Sequence, residues 1–194
     1  MALNITVNTE LAAVNTIIFT IGESPVNSLE NSSSVDVINA RTLLAQESRK
    51  LQDKGWTFNI QENFFVASDA FSNQIVFRPN WLRVLEPASG TPYVNRGGFL
   101  YDRPGQTDQF PGGVTVDLTE EVPFNELPYC FQTLATMKAA RRFNGGSFGD
   151  PGVDAEAARL EEEARIACNE YELDYSNLSL FQNDQFILGR LGRS

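Results

Sequence analysis

The chain has 194 residues, 42% of them hydrophobic and 21% charged, with a formal net charge of −10 and no histidine. This size and mixture fit one ordinary domain or two small ones that bury a core without metal or disulfide, and the acidic balance argues against coating or reading nucleic acid, which takes dense Lys and Arg. The missing histidine removes Ser-His-Asp and Cys-His nucleophiles, the H-E-x-x-H metalloprotease motif and imidazole proton shuttles, leaving an enzyme only carboxylates, Lys, Tyr or a carboxylate-bound metal.

Residues 1–8 alternate, with Leu3, Ile5 and Val7 on one side, as a short edge strand or an unpaired lead-in would. A first helix is expected over residues 9–21. Thr9 is its N-cap, Leu11, Val14, Ile17, Ile18 and Ile21 form its apolar stripe, Gly22 suits a left-handed C-cap, and Pro25 prevents continuation. After a polar loop, a second helix is expected over residues 34–54, with Val37, Ala40, Leu44 and Leu51 inward and Arg41, Gln46, Arg49, Lys50 and Asp53 outward; Gly55 ends it. A helix is stabilised in a protein mainly by packing its apolar face, so this pair needs further helices.

From Trp56 the period becomes two. WTFNIQENFFVA places Trp56, Phe58 and Ile60 at alternate positions, and QIVFRP and WLRVLEP follow as short strands closed by Pro79 and Pro87. In TPYVNRGGFLYDRPG, two short runs flank Gly97-Gly98, whose freedom at positive φ marks a tight hairpin. Pro111-Gly112-Gly113 sets another turn before a strand from 114 to 118. Short strands with regular turns and no helix between them point to a small antiparallel sandwich or partial barrel. Helical pattern returns over residues 125–143, with Leu127, Cys130, Phe131, Leu134 and Met137 on one face and Arg141 and Arg142 in the last turn before Asn144-Gly145-Gly146. A fourth helix is expected over residues 154–173, with Ala157, Leu160, Ala164, Ala167 and Tyr171 inward and Glu161, Glu162 and Glu163 as a solvated face.

The organisation expected is therefore α+β: a four-helix bundle whose halves, residues 1–56 and 122–175, are split by an inserted antiparallel β-domain at 57–121. An extended C-terminal arm at 176–194 follows. The arm has no clean period and is broken by Gly189 and Gly192, yet Leu180, Phe181, Phe186, Ile187, Leu188 and Leu191 are too many to leave in water. Either it straps the protein's own core or it docks on another chain, where Arg190 and Arg193 would meet carboxylates.

Few motifs carry chemistry. There is no P-loop, no strand-borne G-x-G-x-x-G, no G-x-S-x-G and no EF-hand spacing. Gly145-Gly146-Ser147-Phe148-Gly149 follows a helix and reads as a helix–helix turn. Cys130 and Cys168 lack C-x-x-C spacing and read as packing residues rather than a disulfide or zinc site. Asp102 and Asp108 flank a turn where a cation could sit, though no metal site is expected, while Tyr93, Asn95, Arg96, Gly97, Gly98 and Tyr101 form a polar hairpin patch that serves either cross-strand pairing or binding. No cofactor is expected. No run reaches the ~18 apolar residues of a membrane span, and no basic segment followed by an apolar one reads as a signal peptide.

Taken in register, LAAVNTIIFTIGESPVNSLE, GWTFNIQE, YVNRGGFLYDR and LPYCFQ resemble the tail tubular protein A family, the adaptor or gatekeeper of short-tailed phages with autonomous RNA polymerases. The likeness covers about residues 9–175. It implies a helical bundle with a β-domain and no enzymatic activity. It also implies a structural virion protein that assembles in the host cytoplasm into a dodecameric homo-oligomer ring. That ring would join the portal protein to the nozzle protein (tail tubular protein B), help the tail fibre protein attach, and let double-stranded DNA pass without sequence-specific binding, with no membrane contact. The family implies that the C-terminal region grips the portal, a task that would fall to Leu180, Phe181, Phe186, Ile187, Leu188, Arg190, Leu191 and Arg193. The hairpin Tyr93, Asn95, Arg96, Gly97, Gly98 and Tyr101 would contact a neighbouring subunit or the nozzle. Two rival readings are a carboxylate-dependent hydrolase acting on a host cell-surface glycan during entry, which needs two facing acids in a cleft, and a small-ligand module with a deep pocket beside Arg96.

Overall fold

The structure is a computed structural model. It describes residues 9–30, 34–147 and 149–183, with 176–183 described by backbone alone. The chain divides into two compact units: a helical unit of Met1–Leu51 with Pro123–Ser194, and a sheet unit of Gln52–Val122.

In the helical unit, α1 spans Glu10–Phe19. The Thr9 hydroxyl accepts from the Ala12 N–H at 3.2 Å, as the sequence predicts. The helix stops in a Schellman turn. Gly22 sits at φ +79° and its N–H reaches the Phe19 carbonyl at 2.9 Å, while the Glu23 N–H reaches Ile18 at 3.3 Å. The Asn15 carboxamide then holds the outgoing loop, accepting from the Val26 N–H at 2.8 Å and donating to its carbonyl at 3.0 Å. Helix α2 spans Val35–Gln52. Its expected inward set Val37, Ala40, Leu44 and Leu51 is buried, but Glu47 and Ser48, which look like surface residues, are buried too.

A 3-10 turn at Phe124–Glu126 leads into α3, Tyr129–Gly146. This helix runs past Arg141 and Arg142, which are therefore not in its last turn. A terminal glycine costs only about 1 kcal/mol, and Asn144 supplies a better reason to continue. Its buried carboxamide donates to the Asp150 carbonyl at 2.9 Å and accepts from the Asp150 N–H at 3.2 Å, closing the turn into the next helix. Asp150 caps that helix through Gly152 N–H at 2.7 Å and Val153 N–H at 3.1 Å, with Pro151 at the first helical position.

Helix α4 spans Pro151–Asn183, longer at both ends than the periodicity suggests. The expected extended arm is thus corrected for 176–183, whose backbone continues the helix. No Gly or Pro interrupts the sequence from Val153 to Leu188, and the Ser and Asn residues there lower helix propensity by only tenths of a kcal/mol each (~0.5). Helix α3 packs most extensively on α4 and next on α1. The buried residues at its faces include Phe131, Leu134, Ala135, Ala139 and Ala140, and on α4 Ala157, Ala164 and Cys168. Each fully buried Leu or Phe there stabilises by roughly 1.5–3 kcal/mol.

The sheet unit holds β1 (Ile60–Val66), β2 (Trp81–Leu85), β3 (Pro92–Arg96), β4 (Phe99–Tyr101) and β5 (Val114–Glu120). They form one antiparallel five-stranded sheet in the order β1–β5–β2–β3–β4. It is a single sheet rather than the expected sandwich or partial barrel. One face is covered by loop side chains: Ile75, Phe77 and Phe110 pack on Val66, Trp81, Val84, Leu100, Val116 and Leu118. QIVFRP is not a strand. It makes one bridge, Val76 to Phe99, because the turn at Asp69–Asn73 and Pro79 leave too little chain between them to pair further. Residues 56–59 are a turn, closed by the Asn59 N–H on the Trp56 carbonyl at 3.0 Å, so the alternation there does not report a strand. In β1 a bulge between Gln61 and Phe64, with Asn63 at φ +53°, brings both Gln61 and Phe64 onto the side of Leu118 and Val116.

Where the chain enters and leaves the sheet unit, Gln52 and Asn59 tie its ends together. Gln52 donates to the Val122 carbonyl at 3.0 Å and accepts from the Val122 N–H at 2.7 Å. Asn59 donates to the carbonyls of Gln52 and Glu120, both at 3.1 Å, and accepts from the Trp56 N–H at 2.8 Å. A carboxamide carries both a donor and an acceptor, so it copies the pairing of a neighbouring strand.

Candidate functional site

The hairpin forms as the sequence predicts. Gly97 and Gly98 sit at φ +64° and +88°, as a two-residue turn between twisted strands needs. The Asn95 carboxamide oxygen accepts from the Gly98 N–H at 3.0 Å. Arg96 lies over the Tyr101 ring at 4.6 Å, a cation–π contact that holds the guanidinium at the outer face. Tyr93 faces the other way. It is half-buried against the sheet core and meets Phe110 edge-on at 5.7 Å, and burial, then Glu86 and Asp102, push its hydroxyl above its usual range. Asn95, Arg96, Gly97 and Gly98 are the exposed part of the set.

Leu180 and Phe181 fall on the backbone of α4's last turns. Phe186, Ile187, Leu188, Arg190, Leu191 and Arg193 lie outside the described residues. Asp108 accepts from the Gln74 carboxamide at 2.6 Å, and the Asp102 backbone pairs with Thr107. Among the described residues no group of three acidic, Cys or His side chains is placed to hold a metal ion. Cys130 and Cys168 are free, hydrogen-bonded to each other, and both are pushed up by burial, which keeps them as thiols.

Periodicity gives no hint of two clefts in the helical unit. One, of about 420 Å³, is lined by Glu47, Lys50, Lys138, Arg141, Arg142, Asp154 and Glu161. Its charges are mostly cancelled internally. Arg142 meets Glu47 at 2.6 Å, and Arg141 meets Asp154 at 3.0 Å and Glu161 at 2.9 Å. The other, of about 410 Å³, lies between α1, α3 and α4 and is walled by Phe19, Met137, Ala140, Val153, Ala157 and Leu160. Phe19 at its mouth is 73% exposed. In the sheet unit Phe71 is 97% exposed, and Phe65 and Val76 are also open to solvent.

Comparison with known proteins gives one consistent result. The family described as tail tubular protein matches residues 11–178. Over 157 residues the chain is 30% identical to the tail tubular protein A of Klebsiella phage KP34, an overlap that takes in 80% of each chain.

Proposed function

The chain belongs to the tail tubular protein family, whose members build phage tails, and from that premise we propose that it is the tail's adaptor, a subunit that repeats around a ring between portal and nozzle. The observation that carries this reading is the extent of the match, residues 11–178, which takes in both the helical and the sheet unit. Several features support it. Phe19, Phe71 and Tyr129 are large apolar groups left in water by the single chain, and assembly would cover them. The formal charge of −10 repels DNA phosphates, so a genome passing through the ring would not be held. The match to a tail tubular protein supports a structural, non-enzymatic part of the virion.

In this reading residues 180–194 grip the portal, the Asn95–Gly98 tip meets a neighbouring subunit or the nozzle, and tail fibres attach near the junction. The ring is the family's dodecamer, assembled in the host cytoplasm. Light scattering of the purified chain with and without portal rings tests it. A species carrying several copies per portal is expected, and a mixture in which the two never co-elute rejects the adaptor role. A chain lacking 184–194 should keep its melting temperature and lose portal binding. Undiminished binding would move the grip elsewhere on the molecule.

A further inference from the structure

Cys130 and Cys168 stand far apart in sequence, and the fold brings them together. Cys130 is the second residue of α3, and Cys168 lies midway along α4. Arg141, near the end of α3, meets Asp154 and Glu161 near the start of α4, whereas Phe131, at the beginning of α3, meets Tyr171 edge-on at 5.6 Å. The two helices therefore run antiparallel, and the same register sets the Cys130 thiol against the Cys168 thiol within hydrogen-bonding reach. Helices α3 and α4 share the most extensive seam of the unit, and the pair lies inside it, one turn from the contact of Phe131 with Tyr171.

Both thiols are free, Cys168 fully buried and Cys130 half-buried, so an oxidant from solvent meets Cys130 first. Burial is the main cause that holds both above the ordinary thiol range. Among the described residues, the charged and titratable groups that act on the pair are Glu172 and Tyr171 on α4 and Lys138 on α3; Glu172 pushes both thiols further up, and Lys138 partly offsets this at Cys168. At neutral pH both are protonated and slow to react. Such a pair stays reduced wherever glutathione is present. A component of a phage tail works outside the cell, where nothing keeps its thiols reduced.

We propose that Cys130 and Cys168 are a modification site, closing into a disulfide outside the reducing cell and stapling the first turn of α3 to the middle of α4. The oxidant is hydrogen peroxide. The Cys130 sulfur attacks one peroxide oxygen, the O–O bond breaks, and the thiol becomes a sulfenic acid with release of one water. The Cys168 sulfur then attacks the Cys130 sulfur, the S–O bond breaks, and a second water leaves with the Cys168 proton. The two thiols lose two electrons and two protons, and the peroxide takes them up. The helical unit is folded with both thiols free, so the staple does not create the fold. It adds resistance to opening, by closing a long loop of the unfolded chain. Nothing in this inference depends on the ring.

The test is oxidation of the full chain, purified with reductant, freed of it and treated with hydrogen peroxide. The intact mass should fall by two hydrogens, a non-reducing peptide map should join the Cys130 and Cys168 peptides, and the melting temperature read by ellipticity should rise by several degrees. Dithiothreitol should reverse all three. Because the thiolate is the reacting form, the rate should climb about tenfold per pH unit between pH 7 and 9. Cys168→Ser should stop at a sulfenic acid on Cys130 that dimedone traps, and Cys130→Ser should leave Cys168 a thiol. Two thiols still free after prolonged peroxide, Cys130 carried to the sulfinic acid in the unaltered chain, or a disulfide between two chains overturns the site. A bond that forms only in denaturant overturns it too, since the folded chain would then hold the sulfurs apart. Phage particles denatured in alkylating agent without reductant should show neither cysteine labelled, and labelling of both denies the staple in the virion.

Discussion

In the helical unit the elements are joined by charge: Arg41 on α2 meets Glu10 on α1 at 2.7 Å, Arg142 on α3 meets Glu47 on α2, and Arg141 on α3 meets two carboxylates on α4. In the sheet unit the cations lie over rings instead, Lys54 on Trp56 at 4.2 Å and Arg96 on Tyr101, and the ends are tied by the neutral side chains of Gln52 and Asn59. The first kind of joint weakens with salt and with titration, and its exposed members contribute only about 0–1 kcal/mol each. The neutral amide ties of Gln52 and Asn59 are indifferent to both. The contrast can be measured directly, since both tryptophans, Trp56 and Trp81, belong to the sheet unit and most of the helix to the other. Tryptophan fluorescence follows one unit and ellipticity at 222 nm mainly the other.

The largest expected effect is Phe131→Ala. It empties a fully buried site in the helical core and should cost about 3–5 kcal/mol in the helical transition. Loss of the same size in the fluorescence transition would show that the two units melt as one. Next comes Gln52→Ala, which strips both Val122 backbone groups of their partner. It should lower the fluorescence transition by about 2–3 kcal/mol, and an unshifted curve would deny the carboxamide its structural role. Arg142→Met leaves the buried Glu47 carboxylate without its guanidinium. Because Arg142 is itself half-exposed, the cost should be about 1–2 kcal/mol, read by ellipticity, and should shrink in ~1 M salt.

The smallest effect is alkaline. Tyr171, edge-on to Phe131 at 5.6 Å, has its hydroxyl pushed up to about 12 by burial and by Tyr175. Its folded value lies above the ordinary 10.0, so the stability it contributes is whole below pH 10 and drains away as pH rises towards 12. With solvent screening the loss should be about 1 kcal/mol or less. A Tyr171→Phe variant should flatten that slope.

The helical stripes were readable because burial imposes a period: Val14, Ile17 and Ile18, then Val37, Ala40, Leu44 and Leu51, all end inside. The hairpin was readable because glycine takes both positive-φ turn positions most readily. What stayed hidden has physical causes too. Alternation in Trp56, Phe58 and Ile60 imitates a strand, though a side chain, Asn59, has folded that stretch into a turn. Ile75 and Phe77 alternate like a strand but serve as a lid over one sheet face. Glu47, Gln52 and Asn144 look like surface polars, since nothing local tells a buried amide or acid from a solvated one.

The amide that closes the turn between α3 and α4 also sets how the molecule ages. Asn144 is followed by Gly145, the neighbour that least hinders backbone attack on a side-chain amide. Helical geometry and two hydrogen bonds keep that attack from happening while the turn is shut. Once ammonia is lost, an oxygen faces the Asp150 carbonyl where a donor stood, and the latch cannot re-form. Wherever that corner opens, peptide mapping should find the lesion at Asn144, and the α3–α4 turn should not close again.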